Sequence, residues 1–132
     1  METLNRRLAN AFKALLTLER LTGLPQPTDV ERDAAIQRFE YTFEMTWKAA
    51  QAYLSEYEYI QAASPRAVIR ACFQAKLFDE TIANALFSIA SDRNLTVHTY
   101  QETFAIQLYN RLATHAALMR QWLTAMQTQI QA

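Results

Sequence analysis

Apolar residues recur at intervals of three and four along most of this chain, and five stretches carry that helical rhythm. Between residues 2 and 21, Leu4, Leu8, Ala11, Phe12, Leu15 and Leu18 fall on one stripe, with Arg6, Arg7, Lys13, Glu19 and Arg20 off it. Gly23 is a natural stop, and Leu24-Pro25-Gln26-Pro27 reads as an extended connector. Thr28-Asp29-Val30-Glu31 is a capping box that opens a helix over about 29–59, with Ile36, Phe39, Phe43, Trp47, Ala50, Leu54 and Tyr57 on its stripe. Ser64 as N-cap and Pro65 at the first helical position start a short third helix that ends near Lys76 or Leu77. Asp79 caps a fourth, whose apolar set is Ile82, Leu86, Phe87 and Ile89 and which ends near Arg93. The last helix runs from about Tyr100 to Gln129. Phe104, Leu108, Leu112, His115, Met119, Trp122 and Met126 form a seam close to a heptad. The prediction is an all-α protein: an up-down four-helix bundle with one additional short helix, in a single domain over residues 1–132.

Composition narrows the function. One Gly and three Pro leave few turns, and 51% apolar with 20% charged residues describes a globular chain. Thirteen basic and thirteen acidic residues cancel, which excludes a broad basic stripe for nucleic acid; any RNA contact has to be local. No apolar run approaches the ~20 residues of a membrane span, and the N-terminus carries no signal-peptide core. The lone Cys72 reads as a small buried apolar residue, and its isolation suits a reducing, cytoplasmic setting.

The candidate chemistry lies in Asp92-Arg93-Asn94-Leu95-Thr96-Val97-His98-Thr99-Tyr100. On an unbroken helix Arg93 and His98 would sit roughly 140° apart, so the helix has to stop between them if they act together. Asn94 suits a left-handed C-cap, and Thr96, Val97 and Thr99 are β-branched. Thr99-Tyr100-Gln101-Glu102 reads as a further capping box. The same residues also fit structural uses. Arg93 can pair with Asp92 or Asp79 or cap carbonyls, and His98 can satisfy loop backbone groups. Elsewhere, Glu40, Glu44 and Lys48 read as a solvated face with one Glu–Lys pair. The two carboxylates lack the companions a metal site needs, so no metal and no cofactor is expected. His115 on the last seam reads as a hydrogen-bonded packing residue.

Arg38-Phe39-Glu40-Tyr41-Thr42-Phe43-Glu44 with Trp47-Lys48, then Ser64-Pro65-Arg66, then Asp92-Arg93-Asn94 through His98-Thr99-Tyr100, resemble the HepT-like proteins. These are also described as nucleotidyltransferase substrate-binding proteins of the HEPN superfamily. The resemblance spans about residues 30–115. It implies a helical homodimer and a small MntA-like nucleotidyltransferase partner acting as antitoxin. It also implies a metal-independent ribonuclease toxin acting on RNA, with Arg93 and His98 catalytic, Asp92 and Asn94 supporting them, and Tyr100 as AMP acceptor or phosphate contact. Where some relatives place the acceptor tyrosine between the arginine and the histidine, this chain has Asn94, Leu95, Thr96 and Val97. The alternative implied by the same resemblance is a non-catalytic substrate-binding subunit of a two-component nucleotidyltransferase.

Overall fold

The computed structural model describes residues 2–132. Five helices follow in order: α1 (Glu2–Glu19), α2 (Asp29–Tyr57), α3 (Pro65–Gln74), α4 (Glu80–Leu95) and α5 (Glu102–Gln131), with a 3₁₀ turn at Thr96–His98. The architecture is the expected up-down four-helix bundle, with α3 as the short extra helix. The long α2 is its spine, packing against each of the other four helices.

The stripes face inward as their spacing requires. Leu4, Leu15 and Leu18 from α1 meet Phe39, Phe43 and Leu54 from α2 in one core, joined by Leu108, Leu112, Met119, Trp122 and Met126 from α5. Ile69 and Cys72 seal it from α3, and Leu86 and Ile89 from α4. Truncating any of the buried leucines to alanine should cost about 2–5 kcal/mol, because the removed methyl groups leave a cavity in a packed interior. Trp47 and Tyr57, expected on the α2 stripe, are only partly buried, and Tyr53 takes an inside place instead. Cys72 is wholly buried, and burial pushes its thiol up to about 12.

Three of the predicted starts are present, those of α2, α3 and α4. Thr28 accepts from the Glu31 amide at 3.1 Å while Glu31 returns a carboxylate to the Thr28 amide at 2.9 Å. Ser64 and Asp79 cap α3 and α4 through the amides of Ala67 and Ile82. The stops differ more. Gly23 adopts φ 70°, but α1 has already ended at Glu19. With no other glycine in the chain, two larger residues take the left-handed position at helix ends: Tyr59 (φ 56°) after α2 and Lys76 (φ 65°) after α3. At Lys76 the Leu77 amide bonds the Cys72 carbonyl at 3.0 Å and the Lys76 amide bonds that of Phe73 at 2.9 Å. That paired closure satisfies carbonyls the helix leaves open and offsets the strain of a side chain at positive φ.

Candidate functional site

The site forms where the end of α4 crosses the middle of α2 and the start of α3. Asn94 does not cap α4. It lies inside the helix, which continues to Leu95, and no positive φ occurs there. The break comes two residues later than expected, at Thr96, whose hydroxyl lies 2.8 Å from the Arg93 carbonyl. That local bond, with a Thr99 amide bond to the Thr96 carbonyl at 3.2 Å, tightens the chain into the 3₁₀ turn. Nor does Thr99 open a capping box. Its hydroxyl bonds back to the Thr96 carbonyl at 2.8 Å, and α5 begins at Glu102 with Gln101 as an N-cap whose side chain makes no capping bond. Tyr100 therefore precedes the helix rather than starting it.

Arg93 and Asp92 are consecutive on α4 and point to different helices. Arg93 turns to α2. Its Nη1 lies 3.3 Å from Glu40 Oε2 and donates to Thr96 Oγ1 at 3.0 Å, and its Nε is 4.0 Å from Glu44 Oε1. Thr96 Oγ1 also lies 3.0 Å from Glu40 Oε2, so carboxylate, hydroxyl and guanidinium close a three-membered ring of contacts. Glu40 and Glu44, expected as a solvated face, are instead the counter-charges of Arg93. Glu44 makes no pair with Lys48 and accepts from Trp47 Nε1 at 3.3 Å. Nor does Arg93 pair with Asp92 or Asp79 among the described residues.

Asp92 turns to α5. Arg111 grips it through Nε at 2.8 Å and Nη2 at 2.9 Å, and His115 Nε2 lies 2.6 Å from its Oδ2. Burial alone would raise this carboxyl, but the bonds from His115 and Arg111 outweigh it and hold Asp92 at about 2. The pairing also raises the Arg111 guanidinium. His115 is buried and its ring stacks on Phe39 at 5.7 Å, the packing histidine its place on the seam predicted.

His98 is exposed on the 3₁₀ turn, and its imidazole makes no hydrogen bond or ion pair among the described residues, while its carbonyl accepts from the Gln101 amide at 3.0 Å; its ring centroid is 6.3 Å from that of Tyr100. No hydrogen bond joins the Arg93 and His98 side chains within one chain. Tyr100 is 79% exposed, with its hydroxyl 3.2 Å from Gln101 Nε2. Leu95 and Val97, 42% and 71% exposed, lie on the same surface segment.

Beside Arg93 is a cleft of about 300 Å³, lined by Phe43, Glu44, Ser64, Pro65, Arg66, Ala90, Arg93 and Asn94. Arg66 reaches Ser91 Oγ at 2.6 Å and lies 5.6 Å over the Phe87 ring. The motif containing Arg93 and His98 is legible in one dimension. Glu40, Glu44 and Arg66 stand in the sequence blocks that carry the family resemblance, but their role beside Arg93 has no signal in local spacing beyond the interval of four between the two carboxylates. No group of three or more His, Cys, Asp or Glu side chains able to hold a metal occurs among the described residues.

The fold and the matched sequence define the class. Residues 6–128 match the family described as "Nucleotidyltransferase substrate binding protein like", and the chain belongs to it. Among solved structures, a protein from Thermus thermophilus is 50% identical with a TM-score of 0.86, covering 88% of this chain and 98% of that one. The toxin–antitoxin MntA–HpeT mutant structure matches at 14% identity and a TM-score of 0.80, covering 97% and 99%. A tri-AMPylated Shewanella oneidensis HEPN toxin in complex with its MNT antitoxin matches at 15% identity and a TM-score of 0.79, covering 97% and 98%. At such identities the two toxin structures speak for the fold. Among curated proteins no relative matches the chain. No helix among the described residues is long and apolar enough to cross a membrane.

Proposed function

We propose that this chain, as one domain, is a metal-independent HEPN ribonuclease, the toxin of a pair whose nucleotidyltransferase antitoxin neutralises it by AMP transfer. The observation that carries the reading is the state of the two motif side chains. Arg93 is held firmly yet keeps one edge at a cleft, and His98 stands exposed and unpartnered one short turn further on. An arginine locked on three contacts has lost its rotamer entropy in advance, so its remaining donors meet a phosphate at little further cost.

In the proposed reaction His98 takes the proton of a ribose 2′-OH. The freed oxygen bonds phosphorus, the P–O5′ bond breaks, and Arg93 steadies the charge on the non-bridging oxygens. The products are a 2′,3′-cyclic phosphate and a 5′-OH. The leaving oxygen takes its proton from a second imidazole, supplied by His98 of a two-fold mate. The exposed Leu95, Val97 and Tyr100 beside the motif supply apolar surface that such a homodimer would bury. Asp92 supports by anchoring α4 to α5 one residue from Arg93, and Asn94 lines the cleft. For neutralisation, the exposed Tyr100 hydroxyl gives up its proton to solvent, its oxygen bonds the α-phosphorus of ATP, and the bond from that phosphorus to the bridging oxygen breaks, so that pyrophosphate leaves. The MNT complex of the AMPylated toxin with the same fold supports this step.

The test is RNA cleavage in EDTA. Wild type should cleave, and His98→Ala and Arg93→Ala should lose at least about a hundredfold in rate. Equal, negligible cleavage by all three would sink the ribonuclease. Incubation with the partner and ATP should raise the intact mass by whole AMP units, and Tyr100→Phe should abolish the gain; a gain that persists moves the acceptor elsewhere.

A second reading, a non-catalytic substrate-binding subunit, is favoured by one feature: Arg93 already faces two carboxylates and makes no hydrogen bond with His98 in the same chain. It predicts partner binding without cleavage, unaffected by His98→Ala.

A further inference from the structure

Arg66 has no part in the proposed reaction, and its surroundings are unusual. It is exposed at the first turn of α3, makes no ion pair among the described residues, and lines the same cleft as Arg93. One donor goes to Ser91 Oγ at 2.6 Å, and its flat face packs over Phe87. These two contacts fix the guanidinium without neutralising it. A guanidinium carries five N–H donors, so most remain for a ligand. Across the cleft, Arg93 has an Nε atom shielded from solvent that makes no hydrogen bond among the described residues and lies 4.0 Å from Glu44 Oε1. Of the charged groups lining the cleft, Arg66 and Arg93 are cationic and Glu44 is anionic. The remaining walls, Phe43, Pro65 and Ala90, are apolar, and a volume of about 300 Å³ suits one nucleotide rather than a larger ligand.

We infer that this cleft is a nucleotide subsite in which Arg66 grips a phosphodiester of single-stranded RNA next to the one held by Arg93. The inference rests on the ribonuclease reading for its substrate but not for its geometry. Arg66 is a binding residue, with no part in proton transfer. It sets how the strand enters and hence which phosphate reaches His98.

The experiment uses the full chain and a fluorescent single-stranded RNA dodecamer with every 2′-OH methylated, so that binding is read without cleavage. By anisotropy at low salt, Arg66→Ala should bind about tenfold more weakly than wild type, the effect of removing one charge-assisted hydrogen-bonding group. Its log K against log salt slope should be shallower by roughly 0.7, the signature of one fewer phosphate neutralised on a single strand. Arg66→Lys, which keeps the charge but not the fork, should retain the wild-type slope with intermediate affinity. Arg70→Ala, one turn along α3 and outside the cleft, should match wild type and serves as the control for general charge. Thermal melts identify any variant that loses the fold. Should Arg66→Ala unfold, the Arg66→Lys comparison and Ser91→Ala, which frees the guanidinium without removing charge and should weaken binding mildly, decide in its place.

Wild-type affinity and slope in a folded Arg66→Ala would overturn the subsite. So would oligonucleotide binding independent of Arg66 alongside Arg66-dependent binding of 5′-AMP, which would assign the cleft to a free nucleotide. The two readings fail separately. Arg66-dependent binding with no cleavage of unmodified RNA by wild type removes the ribonuclease and keeps the subsite. Cleavage by wild type with no Arg66 dependence in binding or KM does the reverse.

Discussion

Asp92 and Arg93 share a peptide bond and live in opposite electrostatic settings. Asp92 is one carboxylate with two donors, Arg111 and His115, its side chain only 11% exposed and its hydrogen bonds short. Arg93 is one guanidinium with two carboxylates, none closer than 3.3 Å, on side chains between 28% and 39% exposed. The two histidines divide the same way: His115 is enclosed and partnered, His98 exposed and unpartnered. The first setting is closed, with its acceptor fully claimed. The second is held from behind and open in front. A stability device needs the former, while a ligand site needs a charge that is fixed but not consumed.

That contrast can be broken at either end. The largest effect should come from Asp92→Ala, which strands a buried imidazole and a guanidinium without their acceptor. It should destabilise the fold by about 3 kcal/mol, read as a lower urea midpoint. A loss under about 1 kcal/mol would mean the closed setting is not holding α4 to α5.

Acid should act on the same residue. Asp92 falls from its ordinary 3.8 to about 2 in the fold, so its contribution is present above about pH 4 and is lost as pH drops through about 2. Wild type should lose roughly 2 kcal/mol over that window through this group. Asp92→Asn should show correspondingly less acid sensitivity in chemical denaturation followed by circular dichroism.

On the open side the expected costs are smaller. Thr96→Val removes the oxygen that joins Arg93 to Glu40, and should cost about 1 kcal/mol while loosening the guanidinium. Glu40→Gln should change stability by only roughly half a kcal/mol, since the pair is partly in water. If Arg93 works as proposed, both variants should lower RNA cleavage out of proportion to their melting shifts. Cleavage that merely tracks stability would make the open side another structural pair.

The caps at Thr28, Ser64 and Asp79 and the inward stripes of α1 and α5 are legible from residue type and spacing alone. Each rests on hydrogen bonds or packing faces a few residues apart. The end of α4 is harder to read. Asn94 is a good left-handed cap in principle, yet the helix runs on to Thr96, whose single hydroxyl proton lies within reach of both the Arg93 carbonyl and Glu40. The site is legible as a motif, since Arg93, His98 and Tyr100 lie close in sequence. Its setting is not, because Glu40 and Arg66 are distant in sequence.

By itself, then, the sequence determined the helices, the capped starts of α2, α3 and α4, most of the core faces and the neighbourhood of the candidate site, because those follow from local periodicity and capping. Only the tertiary structure decided which charge meets which. Thr96 reaches Glu40 across 56 residues, and Asp92 reaches Arg111 and His115 across 19 and 23. Two adjacent residues on one helix face different neighbours, and no local rule says which neighbour carries the matching charge until the bundle has packed.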